Sequence, residues 1–128
     1  VEPERQVPAP QARTPIDQTA LARVSAGDTV VEREIFNEFQ QANEGDAALL
    51  AQAVTDGDSA EVKRLAHLIK GASTMIGALR LAGVCERIER SNQSGDWNSI
   101  KAGMRDFHHE VADLKLYFAE LRRATPEP

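Results

Sequence analysis

His67, Lys70 and Gly71 lie within about one turn of a predicted helix. A neutral imidazole is a good nucleophile, because the side chain titrates close to neutral pH. A lysine three residues later can compensate the negative charge of a phosphoryl group. A glycine four residues later leaves the approach to the ring open, at a helix cost of about 1 kcal/mol. Because phosphoryl transfer needs mainly in-line access and charge compensation, this spacing favours a histidine that accepts a phosphoryl group.

Helical periodicity places this group on an outward face. An apolar stripe on the same helix consists of Val62, Leu65, Ala66, Ile69, Ala72, Ser73 and Ile76. At about 3.6 residues per turn, His67 projects about 160° from the middle of that stripe. Lys63, Arg64 and Thr74 share its outer face. A lone surface histidine or a basic helical face is usually only solvated, but their convergence with a glycine on one outward patch favours a functional site.

Two large apolar residues flank the stripe near the histidine. Leu68 and Met75 lie about 100° to 120° from the centre of the stripe, so both could be partly exposed and form an adaptable contact surface. Burial of both under the N-terminal helix is the alternative. The candidate docking residues are therefore Lys63, Arg64, Leu68, Thr74 and Met75.

The elements that must position these residues are all helical. No strand alternation appears, and all six prolines lie in residues 1–15 and 126–128. Turn signals predict helices over 17–24, 29–55, 59–76 and 79–91, with a possible irregularity at Gly45 and a capping box from Asp58 to Glu61. A last helix carries a seam of 3-4 spacing: Trp97, Ile100, Met104, Phe107, Val111, Leu114, Phe118 and Leu121. We predict an all-α fold, an antiparallel four-helix bundle with a short additional N-terminal helix.

Composition narrows the class of protein. A length of 128 residues suits one domain, and a net charge of −5 argues against a nucleic-acid partner. No apolar run approaches the roughly 20 residues that span a bilayer, so direct membrane contact is not expected. Cys85 reads as a small buried thiol. His108 and His109 diverge by about 100° on a helix and cannot readily share a metal, so no metal site is predicted.

The segment 66–73, AHLIKGAS, resembles the signature of histidine-containing phosphotransfer (HPt) domains, roughly A-H-x-L-K-G-[SA]-[SA]. The likeness continues through I-G-A at 76–78 and L-A-x-x-C-E at 81–86, and residues 16–122 fit the length and helix order of the family. The resemblance implies that His67 receives a phosphoryl group from an aspartyl phosphate on a response-regulator receiver domain and passes it to another receiver's aspartate. Lys70 would stabilise the phosphohistidine, and Gly71 would keep the approach open.

Family members commonly have a polar residue, often glutamine, that faces the histidine from the next helix, and here the matching position holds Glu89. A carboxylate could bond the other ring nitrogen, but it would also repel a phosphoryl group. We therefore keep Glu89 as a candidate for docking or support, and expect an ordinary exposed glutamate.

The resemblance also implies a cellular context. No segment resembles an ATP-binding site, so we expect no autonomous kinase activity and no cofactor; Mg²⁺ would come with the partner receiver. We expect a Pro-rich linker over 1–15, a domain over 16–125 that is monomeric in isolation, and a tail over 126–128. This layout is typical of the cytoplasmic C-terminal module of a hybrid sensor histidine kinase in the bacterial inner membrane. The alternatives are a free-standing relay shuttle and a catalytically inert helical bundle for interaction or dimerisation.

Overall fold

Five helices follow one another in the computed structural model, which describes residues 15–124. They are α1 (Gln18–Ser25), α2 (Thr29–Asp56), α3 (Ser59–Met75), α4 (Leu79–Gln93) and α5 (Trp97–Ala124). The predicted all-α class is confirmed, and the predicted ends of the first four helices agree with the structure to within two residues. The predicted tail and all of the predicted linker except residue 15 lie outside the described residues.

Aspartates just before three of the helices explain why neighbouring residues are enough to determine where these helices begin. The carboxylates of Asp17, Asp28 and Asp58 each accept a backbone N–H from the first turn of the helix that follows. The predicted capping box is only half formed. Asp58 accepts the N–H of Glu61, but the Glu61 carboxylate binds Arg64 instead of returning to the cap.

The four long helices close into a bundle. The helix α3 packs against α2 and α4, while α5 packs against α4 and α2, and short turns join each consecutive pair. The predicted seam of α5 lies in the core, with five members buried and Trp97, Val111 and Leu121 packed against them. Because this seam is used inside the fold, it is not available to a second copy, which weakens the dimerisation alternative.

Two details of the predicted core differ from the structure. Ala72, assigned to the apolar stripe of α3, is exposed, because it lies at the edge of that stripe. Gly45 causes no interruption, and α2 runs continuously through it. Cys85 is buried as predicted, and its burial raises the pKa of the thiol to about 12. Within residues 15–124, no helix is long and apolar enough to cross a membrane.

Glycine permits two close approaches in the bundle. Gly77, in the turn between α3 and α4, has φ +84°, and a Cβ there would lie 2.6 Å from the backbone oxygen of Asp17. The N–H of Asp17 donates to the carbonyl of Gly77 at 2.7 Å, which joins the start of α1 to this turn. Gly103 in α5 faces Ile88 of α4, and a Cβ there would lie 2.8 Å from the side chain of Ile88.

Candidate functional site

His67 lies in the middle of α3 on the side away from the core. Its side chain is 72% exposed, whereas Leu65, Ala66 and Ile69 on the opposite side of the helix are buried. The outward orientation predicted from periodicity is therefore confirmed. Burial of the inner face fixes the helix, so the imidazole is presented to solvent from a firmly packed element.

Glu89 of α4 connects the ring to Lys70. Nδ1 of His67 lies within hydrogen-bonding distance of Oε2 of Glu89, at 3.0 Å, and Nζ of Lys70 lies 2.9 Å from the other carboxylate oxygen, Oε1. The Glu89 side chain is only 18% exposed. The expectation of an ordinary exposed glutamate is wrong. Sequence periodicity carried a usable signal, because Glu89 follows buried Ile88 and lies four residues after buried Cys85, beside the face of α4 that packs on α3.

Lys70 is held beside the histidine through this carboxylate. Its side chain is 30% exposed, and the hydrogen bond to Glu89 raises the pKa of the ammonium above its ordinary value despite the opposing effect of desolvation. The lysine is therefore charged at neutral pH and lies on the same carboxylate as the ring. The geometry places a cation, an anion and a nucleophilic ring in one small cluster.

Gly71 is exposed on α3, and a Cβ added there would meet no atom within 4 Å. Packing within the described domain therefore does not require glycine at this position. Since glycine costs a helix about 1 kcal/mol relative to alanine, the fold alone gives no reason for it. The open space one turn from His67 is what a group approaching the ring needs.

The remaining predicted site residues border the cluster in different ways. Leu68 is 47% exposed and Met75 is 61% exposed, so the alternative of burial under the N-terminal helix is wrong. Lys63 is exposed. Arg64 is bound to Glu61 by two hydrogen bonds of 2.7 and 2.8 Å, and the Thr74 hydroxyl donates to the Lys70 carbonyl. Exposed apolar side chains and polar or charged ones therefore both occur on α3 around the cluster.

The other two histidines, both in α5, lie apart from this cluster. Nε2 of His109 lies 3.7 Å from Oδ2 of Asp113 on the exposed side of α5. The ring of His108 packs edge-on against Phe107. No group of three potential metal ligands occurs among residues 15–124. A groove bordered by Phe36, Phe118 and Leu121 contains none of the candidate site residues.

Comparisons with known proteins bear on the fold and on the family. The crystal structure of histidine-containing phosphotransfer protein B (HptB) from Pseudomonas aeruginosa PAO1 is similar, with a TM-score of 0.79 and 25% sequence identity over 87% of this chain and 96% of that chain. No curated protein matches the sequence. The family model of the Hpt domain matches residues 34–124, which is more than half of the chain. The resemblance carried by residues 66–86 is thus confirmed, and the chain belongs to the Hpt domain family.

Proposed function

We propose that His67 is the phosphoryl acceptor of this domain, which takes the group from an aspartyl phosphate of one receiver domain and passes it to the aspartate of another. Hpt domains transfer phosphoryl groups in phosphorelay signalling and interact with receiver domains. The observation that carries the proposal is the contact between an exposed imidazole and a largely buried carboxylate, His67 Nδ1 to Glu89 Oε2 at 3.0 Å.

This contact selects the reactive nitrogen. An ionised carboxylate can only accept hydrogen bonds, so the neutral ring must carry its proton on Nδ1. The lone pair is then on Nε2, the ring nitrogen not engaged by Glu89. A histidine held in one tautomer and one ring orientation is a better nucleophile than one that exchanges between tautomers and rotates freely. The reactive form is then already populated before the partner arrives.

The transfer is a displacement at phosphorus. The Nε2 lone pair of His67 forms the new N–P bond while the P–O bond of the aspartyl phosphate breaks, and the electron pair leaves with the aspartate carboxylate. The proton on Nδ1 stays on the ring, where the hydrogen bond to Glu89 offsets the positive charge that the ring acquires. Transfer to a second receiver is the same step in reverse, and the Mg²⁺ would come with the receiver in both directions.

Lys70 and Gly71 serve the same step. The ammonium of Lys70 is held within one helical turn of His67 and offers a charge-assisted hydrogen bond to the transferred phosphoryl group. The absent side chain at Gly71 leaves space for the phosphoryl group and for the receiver backbone that carries it. Neither role requires the domain to bind a nucleotide, and we expect no autonomous kinase activity.

We assign receiver docking to the surface around the ring. Leu68 and Met75 offer exposed apolar area near the nucleophile, which a soluble partner can cover. Lys63, Arg64 and Thr74 form the polar rim, although Arg64 is already paired with Glu61 and contributes less new attraction. We expect these contacts to orient the receiver for in-line transfer.

The test uses a receiver domain that carries labelled phosphate on its aspartate, mixed with this domain and Mg²⁺. We expect label on the unmodified domain, lost in acid and retained in alkali, and no label on the His67→Gln variant. The matched control is His109→Gln, which removes another exposed histidine that faces a carboxylate. This control should accept label as the unmodified domain does.

Absence of transfer from every receiver tried, with all three proteins equally helical, would overturn the proposal and favour the inert bundle. Transfer that persists in His67→Gln and disappears in His109→Gln would move the acceptor to α5. Attachment of this domain to a membrane sensor kinase stays a prediction, with the free-standing relay shuttle as its alternative.

A further inference from the structure

Glu89 interacts with the two groups that phosphorylation changes. One carboxylate oxygen accepts from the His67 ring and the other contacts the Lys70 ammonium, at 3.0 and 2.9 Å. With Glu89 18% exposed and Lys70 30% exposed, these charges are partly shielded from water and interact more strongly than charges on an open surface. With the ring in its neutral, nucleophilic form, the cluster is balanced before transfer, because the carboxylate is paired with the ammonium.

We propose that Glu89 weakens the hold of this domain on its phosphoryl group, so that the transfer equilibrium is shifted toward the receiver. Glu89 acts as a positioning residue, through His67 and Lys70, and touches no reacting phosphorus or oxygen atom. The inference rests on the proposed role of His67 as the acceptor, and it adds a direction to that role.

The sign follows from the charges before and after transfer. Phosphorylation at Nε2 adds a doubly charged phosphoryl group and leaves the ring with a single positive charge, so the residue changes from neutral to net negative. The negative charge of Glu89 therefore opposes the phosphorylated state more than a neutral side chain would. The cationic ring is the nearer of the two charges, and its hydrogen bond to Glu89 offsets part of this repulsion, whereas the phosphoryl group is farther away but carries twice the charge.

Lys70 adds to the same effect. Its ammonium must leave Glu89, or be shared with it, to bind the phosphoryl oxygens. The raised pKa of Lys70 has its largest cause in this hydrogen bond, in agreement with a firm resting contact. Part of the lysine's attraction is therefore already satisfied before the phosphoryl group arrives.

The variant that isolates the charge is Glu89→Gln. The amide keeps the length of the side chain and an oxygen that can accept from Nδ1, but it removes the negative charge and frees Lys70. The matched control is Glu86→Gln, which removes a carboxylate one turn earlier on α4. Glu86 is exposed, is paired with Arg90 at 3.2 Å and acts on Lys70 only from a distance.

The experiment measures the equilibrium distribution of labelled phosphate between one receiver domain and each form of this domain, with Mg²⁺ present. We expect Glu89→Gln to shift the distribution toward the phosphorylated domain by about tenfold, since loss of the negative charge and release of the Lys70 ammonium act in the same direction. Glu86→Gln should change it by about twofold or less, because its charge is exposed and screened.

A second background separates the contribution of the lysine. When Lys70→Gln is present, Glu89→Gln should give a smaller shift than in the unmodified domain, because no ammonium is released. An unchanged distribution in Glu89→Gln, or a shift toward the receiver, would overturn this inference while leaving His67 as the acceptor. If the unmodified domain takes no label at all, it is the proposed function that fails.

Discussion

Two glycines inside helices show how the interior of this bundle differs from its exposed surface near His67. Gly103 of α5 is buried against α4, where a Cβ would lie 2.8 Å from Ile88, so the packing requires the absence of a side chain. Gly71 of α3 is exposed, and a Cβ there would meet nothing within 4 Å. The same residue type thus serves the fold at one position and leaves empty surface at the other. The open space at Gly71 supports the proposal that a phosphoryl group approaches the His67 ring there, although open space alone does not imply a function, since Gly45 is equally open.

The largest loss of stability is expected at Gly77, where an added Cβ would come closest to another atom of the domain. Gly77→Ala should destabilise the domain by about 3 kcal/mol, because the new Cβ would meet backbone of Asp17 and because an L-residue is strained at φ +84°. Urea unfolding followed by circular dichroism measures this loss.

The control for backbone strain is Gly57→Ala, where φ is +68° and a Cβ would meet nothing within 4 Å. This variant should cost about 1 kcal/mol. Equal losses in the two variants would show that the contact between α1 and the turn is not what makes Gly77 necessary.

A smaller loss is expected at the contact between α4 and α5. Gly103→Ala should destabilise the domain by about 1 kcal/mol, because overpacking against buried Ile88 outweighs the better helix propensity of alanine. The comparison variant is Gly45→Ala in α2, where a Cβ would meet nothing and where we expect a gain of up to about 1 kcal/mol. Opposite signs in the same urea titration would confirm that packing, and not helix propensity, decides at position 103.

Gly71→Ala should change stability least among these variants, but it should also affect phosphoryl transfer. Gly71→Ala should stabilise the domain by about 0.5–1 kcal/mol, as Gly45→Ala does, because both positions are open. Unlike Gly45→Ala, it should slow phosphoryl transfer from a receiver, since the methyl group lies one turn from the His67 ring. Unfolding curves and initial rates of label transfer measure the two effects. A Gly71→Ala domain that transfers as fast as the unmodified one would show that the open space is not used.

Much of the fold was predictable because its signals are local. The caps at Asp17, Asp28 and Asp58 act within one turn, so the helix starts could be predicted from a few neighbouring residues. The seam of α5 was predictable for a similar reason, since periodicity along one helix is independent of its neighbours. Periodicity predicts burial less well at the edge of an apolar stripe, and Ala72, which belongs to the stripe of α3, is exposed in the structure.

The sequence by itself determined that the chain is helical, where the helices begin, and that His67 points outward beside Lys70 and Gly71. Each of these follows from capping, from a turn residue such as Gly77 before α4, or from helical periodicity, and all three act over a few residues. Only the tertiary structure decided that Glu89, 22 residues later, accepts from the ring and binds Lys70 as well. That pairing depends on the register between α3 and α4, which is set by how their buried faces pack and by the turn at Gly77. Residue spacing along a single helix does not specify this register.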